Sequence, residues 1–221
     1  MEYVIIVAGG SGSRMRSDIP KQFLEVRGLP ILMHTIRRFY EYSQHIQIVL
    51  VLPVEQLETW ENLREKYTFT IDVKVVIGGK TRFQSVRNGL QIIDNLESMV
   101  AIHDGVRPFV PIGVIQRSFQ VAKEKGSAVA AVSLKDSIRQ VLSDGTTQSV
   151  NRADFRLIQT PQTFQTSLIK KAFEVPESEL FTDDASVAEA AGHKISLIEG
   201  DYRNIKITTP EDLEWAQCVS Y

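Results

Sequence analysis

The sequence predicts an α/β fold, a mostly parallel sheet with helices on both faces. Three observations predict it. Short apolar runs alternate with helical patterns along most of the chain, and glycine or Asp-Gly turns follow several of those runs. Hydrophobic residues make up 43% of the 221 positions, enough for a sizeable core. The formal charge of −2 argues against a broad nucleic-acid footprint but is compatible with a local basic site for a small anion. No apolar stretch approaches the ~20 residues that span a bilayer, so no membrane is expected as a partner. The N-terminus reads as strand and loop, not as a cleavable leader. Cys218 is the single cysteine, which leaves no intrachain disulfide and fits a reducing compartment; the expected location is cytoplasmic. Residues 1–221 read as one domain, without internal repeats, low-complexity tracts or disordered linkers.

Val4–Val7 is an unbroken apolar run suited to a strand buried on both faces. It breaks into Gly9, Gly10 and Gly12, a loop able to turn several N–H groups inward as an anion nest, with Arg14, Arg16 and Lys21 beside it. The match to a P-loop fails because no Gly-Lys-Ser/Thr triplet follows. The dinucleotide fingerprint fails because Met15 stands where its third glycine belongs. A site for a polyphosphate is the reading that remains beside a plain structural turn. Gln47–Leu52 is the next strand, then a helix over Val54–Lys66 and a strand over Ile71–Ile77 that ends in Gly78-Gly79. A helix over Phe83–Leu96 follows from the spacing of Val86, Leu90 and Ile93. Met99–Ile102 forms a short strand before His103-Asp104-Gly105, Pro111–Lys125 a helix stopped by Gly126, and Ala128–Val132 a strand of small residues. In such sheets ligands bind beyond the carboxyl ends of the strands, so the loops at 9–21, 78–82 and 103–107 converge on one rim.

The pattern changes over 133–158. Asp144-Gly145 predicts a two-residue hairpin turn between Ser137–Leu142 and Thr146–Asn151, both too polar for a central strand pair. A lone hairpin is marginal in water, so this arm needs a surface to pack on, with another subunit the natural candidate. Thr160-Pro161 reads as a loop into a helix near Ser167–Phe173. A capped helix over 182–192, a strand over Lys194–Glu199, an extension over Asn204–Ile207 and a helix opened by Thr209-Pro210 complete the chain.

Asp104 beside Arg107 suits a metal or a substrate hydroxyl on the rim, although an Asp before Gly commonly fixes its own turn. Lys206 can reach the same rim. His34, His45, His103 and His193 lack metal-ligand spacing, and Ser11, Ser13 and Ser85 lack a hydrolase elbow. Trp60 and Trp215 suit helix packing.

Ala8-Gly-Gly-Ser-Gly-Ser-Arg14-Met with Pro20-Lys21-Gln resembles the signature of sugar-nucleotide and polyol-phosphate nucleotidyltransferases. Gly78-Gly79-Lys-Thr-Arg82-Phe-Gln-Ser85-Val, His103-Asp104-Gly-Val-Arg107-Pro, Thr160-Pro161-Gln162 and Asn204-Ile205-Lys206-Ile-Thr narrow the resemblance. This set, in order over nearly the whole chain, is similar to the 2-C-methyl-D-erythritol 4-phosphate cytidylyltransferase family of non-mevalonate isoprenoid synthesis. The resemblance implies a Rossmann-like fold, a homodimer with a projecting dimerisation arm, and a divalent cation such as Mg2+. It implies that Ala8, Gly9, Gly10, Gly12, Gly79 and Ser85 bind CTP, and that Arg14, Lys21 and Lys206 are catalytic. Asp104, Arg107 and Thr160 would meet the polyol phosphate, with Asp104 at the metal; Ser137 and Arg152 would come from the other subunit's arm. Three departures stand out. Lys80 replaces a frequent acidic residue and cannot accept a hydrogen bond from the base. Ser137 replaces a threonine, and Gly105 an alanine, a change expected to be mild. The ribitol-5-phosphate cytidylyltransferases share the glycine loop and Thr-Pro-Gln, but Arg82–Leu90 and Asn151-Arg152-Ala fit the first family better.

Overall fold

The computed structural model describes residues 1–10 and 19–219. Gly12 and Arg14 lie outside the described residues, as do Ser11, Ser13, Met15 and Arg16. The chain begins with β1 (Glu2–Val7), then a small antiparallel pair, β2 (Glu25–Val26) and β3 (Leu29–Pro30). α1 (Ile31–Tyr42) is not among the expected elements, although Leu32, Ile36 and Phe39 are all buried and recur at helical spacing. β4 (Gln47–Leu52), α2 (Leu57–Lys66) and β5 (Lys74–Ile77) follow, β5 shorter than the apolar run suggests. α3 (Arg82–Gln91) starts on Thr81, whose hydroxyl accepts the Gln84 N–H. β6 (Met99–Asp104), α4 (Ile112–Lys125) and β7 (Ser127–Ser133) are close to expectation.

The hairpin is shorter than predicted: β8 (Arg139–Val141) and β9 (Thr147–Ser149). Its turn holds three residues, not two. The Gly145 N–H donates to Leu142 O and the Leu142 N–H to Thr146 O, with Gly145 at φ 81° in the bulge position. β10 (Arg156–Gln165) corrects a larger expectation: Thr160-Pro161 does not open a loop but sits inside the longest strand. β10 lies between β6 and β7 and pairs antiparallel with both. Proline is tolerated there because the register with β7 breaks between Ile158 and Gln162, where a missing N–H leaves no ladder bond unmade. The Thr160-Pro161 peptide is cis. α5 (Thr166–Ala172), α6 (Asp184–Ala190), β11 (Leu197–Glu199) and α7 (Pro210–Cys218) end the chain. Residues 204–207 form a loop and not a strand.

The main sheet has the order β11-β7-β10-β6-β1-β4-β5, with only β10 antiparallel. Its registers place the site. Val7 pairs with Asp104 on one side and Val51 on the other, and Leu52 pairs with Ile77. The carboxyl ends of β1, β4, β5 and β6 therefore finish at one height, where Gly9, Gly10 and Lys21 meet the 78–82 and 103–107 loops. Gln162 faces Ile102, so the antiparallel run brings Thr160 level with Asp104. One apolar layer packs α1, α2 and α4 on the sheet through Leu32, Ile36, Trp60 and Phe119; the other packs α3, α5 and α6 through Phe83, Leu90, Ile169 and Val187.

Gly105 follows β6 where the chain presses on β1. A Cβ there would stand 2.8 Å from Ala8 Cβ and 3.2 Å from Val7 O, atoms that have little room to move. The alanine expected to be a mild change is therefore crowded in this chain. Gly105→Ala should cost about 1–3 kcal/mol, the usual penalty for overpacking. Ala8→Gly in the same molecule should recover part of it. Chemical denaturation of the single and double variants checks this; an unchanged midpoint in Gly105→Ala would show that the β1–β6 rim yields.

Candidate active site

The rim holds a cleft, open to solvent, whose walls include Ala8, Gly9, Gly10, Lys21, Gly79, Ser85, Asp104 and Lys206. A second cavity lies beside it, lined by Arg107, Thr160, Gln162, Thr182 and Asp183 among others. Arg82, Asp104 and Lys206 line both, so Asp104 stands where the two spaces join.

Lys21 opens a single 3-10 turn over Lys21–Phe23 and is largely buried. A Cβ on Gly10 would come within 3.7 Å of Lys21 Nζ, which places the ammonium against the glycine loop. On the opposite wall, Ser85 Oγ accepts the Gly79 N–H at 3.1 Å and donates to Thr81 O at 2.8 Å. The Lys80 N–H goes to Gln84 Oε1, while the Lys80 side chain is exposed. Ser85 thus shapes the Gly79 loop with both hydrogen-bonding functions of its hydroxyl.

Asp104 ends β6 and is buried, yet its carboxyl is held well below the usual carboxylate range. Burial alone would raise it; Lys206, Arg82 and Arg107 reverse that by favouring the charged form. Lys206 Nζ is 3.2 Å from Asp104 Oδ2, and Arg107 Nε donates to the same oxygen at 3.1 Å. Arg107 Nη1 also donates to Asn204 O at 2.8 Å, and Asn204 Nδ2 donates to Thr160 O at 2.7 Å. The fully buried Asn204 is what fastens the 204–207 loop to β10 and brings Lys206 to the rim.

Thr160 and His103 complete the frame. Thr160 Oγ1 accepts the Asp104 N–H at 3.1 Å and lies 3.0 Å from His103 Nδ1. His103 Nε2 is 3.2 Å from Arg107 O, an acceptor, so the proton belongs on Nε2 and the Thr160 hydroxyl donates to Nδ1. The Thr160 hydroxyl proton is therefore directed into the protein. The Arg82 guanidinium forks onto Asp184, Nη1 to Oδ1 at 2.7 Å and Nη2 to Oδ2 at 2.6 Å. Its partner in sequence lies 102 residues away. Neither Arg82 nor Asp184 is assigned a role by the motifs alone, because no local pattern connects them.

The structure thus brings Ala8, Gly9, Gly10, Lys21, Gly79, Ser85, Asp104, Arg107, Thr160 and Lys206 to one rim. It does not bring Ser137 or Arg152 there: both are exposed on the 133–158 segment, where Arg152 Nη1 bonds Lys135 O, and neither lines either cavity of its own chain. Among the described residues no group of three or more His, Cys, Asp or Glu is placed to hold a metal.

A glycine turn flanked by cations, one shared carboxylate and two joined cavities at the end of a parallel sheet suits phosphate chemistry driven by charge and position. This fold and site define a nucleotidyltransferase. The family model described as "IspD: 2-C-methyl-D-erythritol 4-phosphate cytidylyltransferase" matches residues 3–220. The chain is 47% identical over 211 residues to the 2-C-methyl-D-erythritol 4-phosphate cytidylyltransferase of Bacteroides thetaiotaomicron, covering 96% of this chain and 95% of the relative. Identity to that of Phocaeicola vulgatus is 45%, over 98% of each. The 4-diphosphocytidyl-2C-methyl-D-erythritol synthase structure from Anaerococcus prevotii superposes with a TM-score of 0.84 at 30% identity, covering 98% of this chain and 94% of that one. The chain belongs to the 2-C-methyl-D-erythritol 4-phosphate cytidylyltransferase family, and is an enzyme of the cytidylyltransferase class.

His103 supplies a test of the frame. Burial pushes its imidazole down from 6.5 to about 4, so the folded protein keeps it neutral while the unfolded chain protonates it near 6.5. Its contribution is present in full above pH 6.5 and is lost as pH falls towards 4. The gap corresponds to about 3 kcal/mol. Asp104, also shifted down but from 3.8, loses its contribution only below that value, so the two windows separate. His103→Gln should flatten the fall in unfolding free energy between pH 6.5 and 4. Equal slopes in parent and variant would mean that His103 does not take up that proton.

Proposed function

We propose that the chain transfers CMP from CTP to 2-C-methyl-D-erythritol 4-phosphate, releasing pyrophosphate and 4-diphosphocytidyl-2-C-methyl-D-erythritol for isoprenoid synthesis. The observation that carries this reading is the junction at Asp104. One cavity, walled by the glycine turn and Gly79, has the elements for a nucleotide; the other, walled by Arg107 and Thr182, can hold a polyol phosphate. A phosphate oxygen of the acceptor attacks the α-phosphorus of CTP in line, a new P–O bond forms, and the bond from the α-phosphorus to the bridging oxygen breaks. An ionised phosphate needs no general base, and direct transfer needs no protein nucleophile. Lys21 faces the triphosphate from the glycine side, and Lys206 faces both substrates from the junction. Arg14, beyond the described residues, joins Lys21 as a charge stabiliser in this reading. Arg107 keeps Asp104 and the 204–207 loop in place and lines the acceptor cavity.

The residues present fit one divalent cation, Mg2+ in this reading. Among the described residues, the one side chain recorded near Asp104 Oδ1 is Arg82, whose Nε stands 3.8 Å away, outside hydrogen-bonding distance. That oxygen is open to the cleft, and a single carboxylate plus substrate phosphates is a usual way to hold Mg2+. When bound, the cation supplies charge neutralisation on the triphosphate.

We read 1–221 as one nucleotidyltransferase domain with 133–158 as an inserted arm, and the enzyme as a cytoplasmic homodimer. No helix among the described residues is long and apolar enough to cross a membrane. Exposed Val141, Phe155 and Leu157 suit contact with a second copy. Ser137 and Arg152 then serve the neighbour's acceptor cavity.

Pyrophosphate release from CTP should depend on both 2-C-methyl-D-erythritol 4-phosphate and Mg2+; equal or faster turnover with ribitol 5-phosphate would reassign the acceptor. Lys21→Ala should lower kcat by about 100–1,000-fold, the usual loss for one preorganised charge, and a change within a few-fold would remove Lys21 from the chemistry. Subunit sharing is tested by exchange between Lys21→Ala and Arg152→Ala dimers. A mixed dimer has one site with both residues intact, so activity should return towards half the parent value. No recovery, with exchange confirmed by mass, would confine Arg152 to its own subunit.

A further inference from the structure

The Arg82–Asp184 pair stands just behind the junction. Asp184 is fully buried and lines neither cavity, whereas Arg82 lines both. Its carboxylate is not needed for the local helix start: Asp183, not Asp184, caps α6, accepting the Ser186 N–H and being answered by the Ser186 hydroxyl. Instead Asp184 takes both terminal nitrogens of Arg82. With its fork filled, Arg82 turns only Nε towards Asp104 and stops 3.8 Å short of Oδ1. The other oxygen, Oδ2, already carries Arg107 and Lys206.

We propose that Asp184 is a positioning residue for the divalent cation: by restraining Arg82, it keeps Asp104 Oδ1 clear. This inference rests on the reading of Asp104 as the protein's ligand to that cation. Without the Asp184 charge, the freed guanidinium needs to move by about 1 Å to reach the ~2.8 Å of a charge-assisted bond with Oδ1. Both oxygens of Asp104 would then be covered by cationic side chains. The unneutralised charge of Arg82 would also oppose a second cation at short range. Gln162 holds the geometry from the strand side, donating to Asp183 Oδ2 at 2.9 Å and accepting the Ala185 N–H at 2.8 Å, so α6 is fixed whether or not Arg82 is charged.

The test titrates Mn2+ into the full-length protein saturated with a non-hydrolysable CTP analogue, reading bound Mn2+ by electron paramagnetic resonance against the analogue alone. Asp184→Asn should weaken Mn2+ binding by about 10–100-fold, the usual effect of losing an outer-shell partner. Removing the freed guanidinium should reverse it: Arg82→Gln with Asp184→Asn should bind Mn2+ within about threefold of the parent, while a purely structural role would leave the double variant as weak as the single one or weaker. Parent-like Mn2+ binding in folded Asp184→Asn, or no recovery in the folded double variant, overturns the proposal. If the single variant does not fold, the double variant alone decides, since the proposal requires it to bind as the parent does. Asp104→Asn separates the two readings. Unchanged Mn2+ binding there removes Asp104 as the ligand; lost binding there with unchanged binding in Asp184→Asn sinks only the role of Asp184.

Discussion

The site depends on one buried carboxylate held charged. Asp104 sits at the end of a central strand, where burial would drive it neutral, and Lys206 and Arg107 meet on a single one of its oxygens. Each of those cations comes from a different part of the chain. Asp104 is therefore the point through which the β6 turn and the 204–207 loop are held in register, with Arg82 standing behind it on Asp184. A neutral residue there would leave Lys206 and Arg107 close together without that compensation, which a partly desolvated site does not tolerate.

The supporting frame is made of neutral hydrogen bonds. The Asp104 N–H, the Thr160 hydroxyl, the His103 ring and Arg107 O form one directed chain, each donor answered by an acceptor. It connects the end of β6 to the one antiparallel strand of the sheet. Such a chain fixes orientation without adding charge, so the cations of the cleft remain directed at whatever anion enters. Thr160 belongs to this frame as much as to the second cavity it lines.

The segment over 133–158 follows different physics. β7 and β10 carry on pairing past the main sheet, Arg156 with Ser133 and Leu157 with Val132, and then continue into a two-stranded ribbon of exposed residues. So small a ribbon buries almost nothing of its own, and the apolar side chains at its base remain in water in the isolated chain.

Much of the fold was legible in the sequence. Apolar runs leading into glycine located β1, β5 and β6 and pointed three loops at one rim, because ligands in a parallel sheet bind beyond the carboxyl ends of its strands. Thr209-Pro210 and Gly126 marked helix ends through local backbone chemistry. The glycine–Lys21 and His103–Arg107 stretches located much of the site for the same reason: their signals are local. β10 was not legible, since its proline reads as a breaker unless the register shift opposite it is known. Nor were α1, the three-residue hairpin turn, the crowding of Gly105 against Ala8, or the Arg82–Asp184 fork. Residue type and spacing along the chain determined which elements form and which loops carry charge. Only the tertiary structure decided which charges meet, because a contact between residues about a hundred positions apart leaves no trace in the order of either neighbourhood.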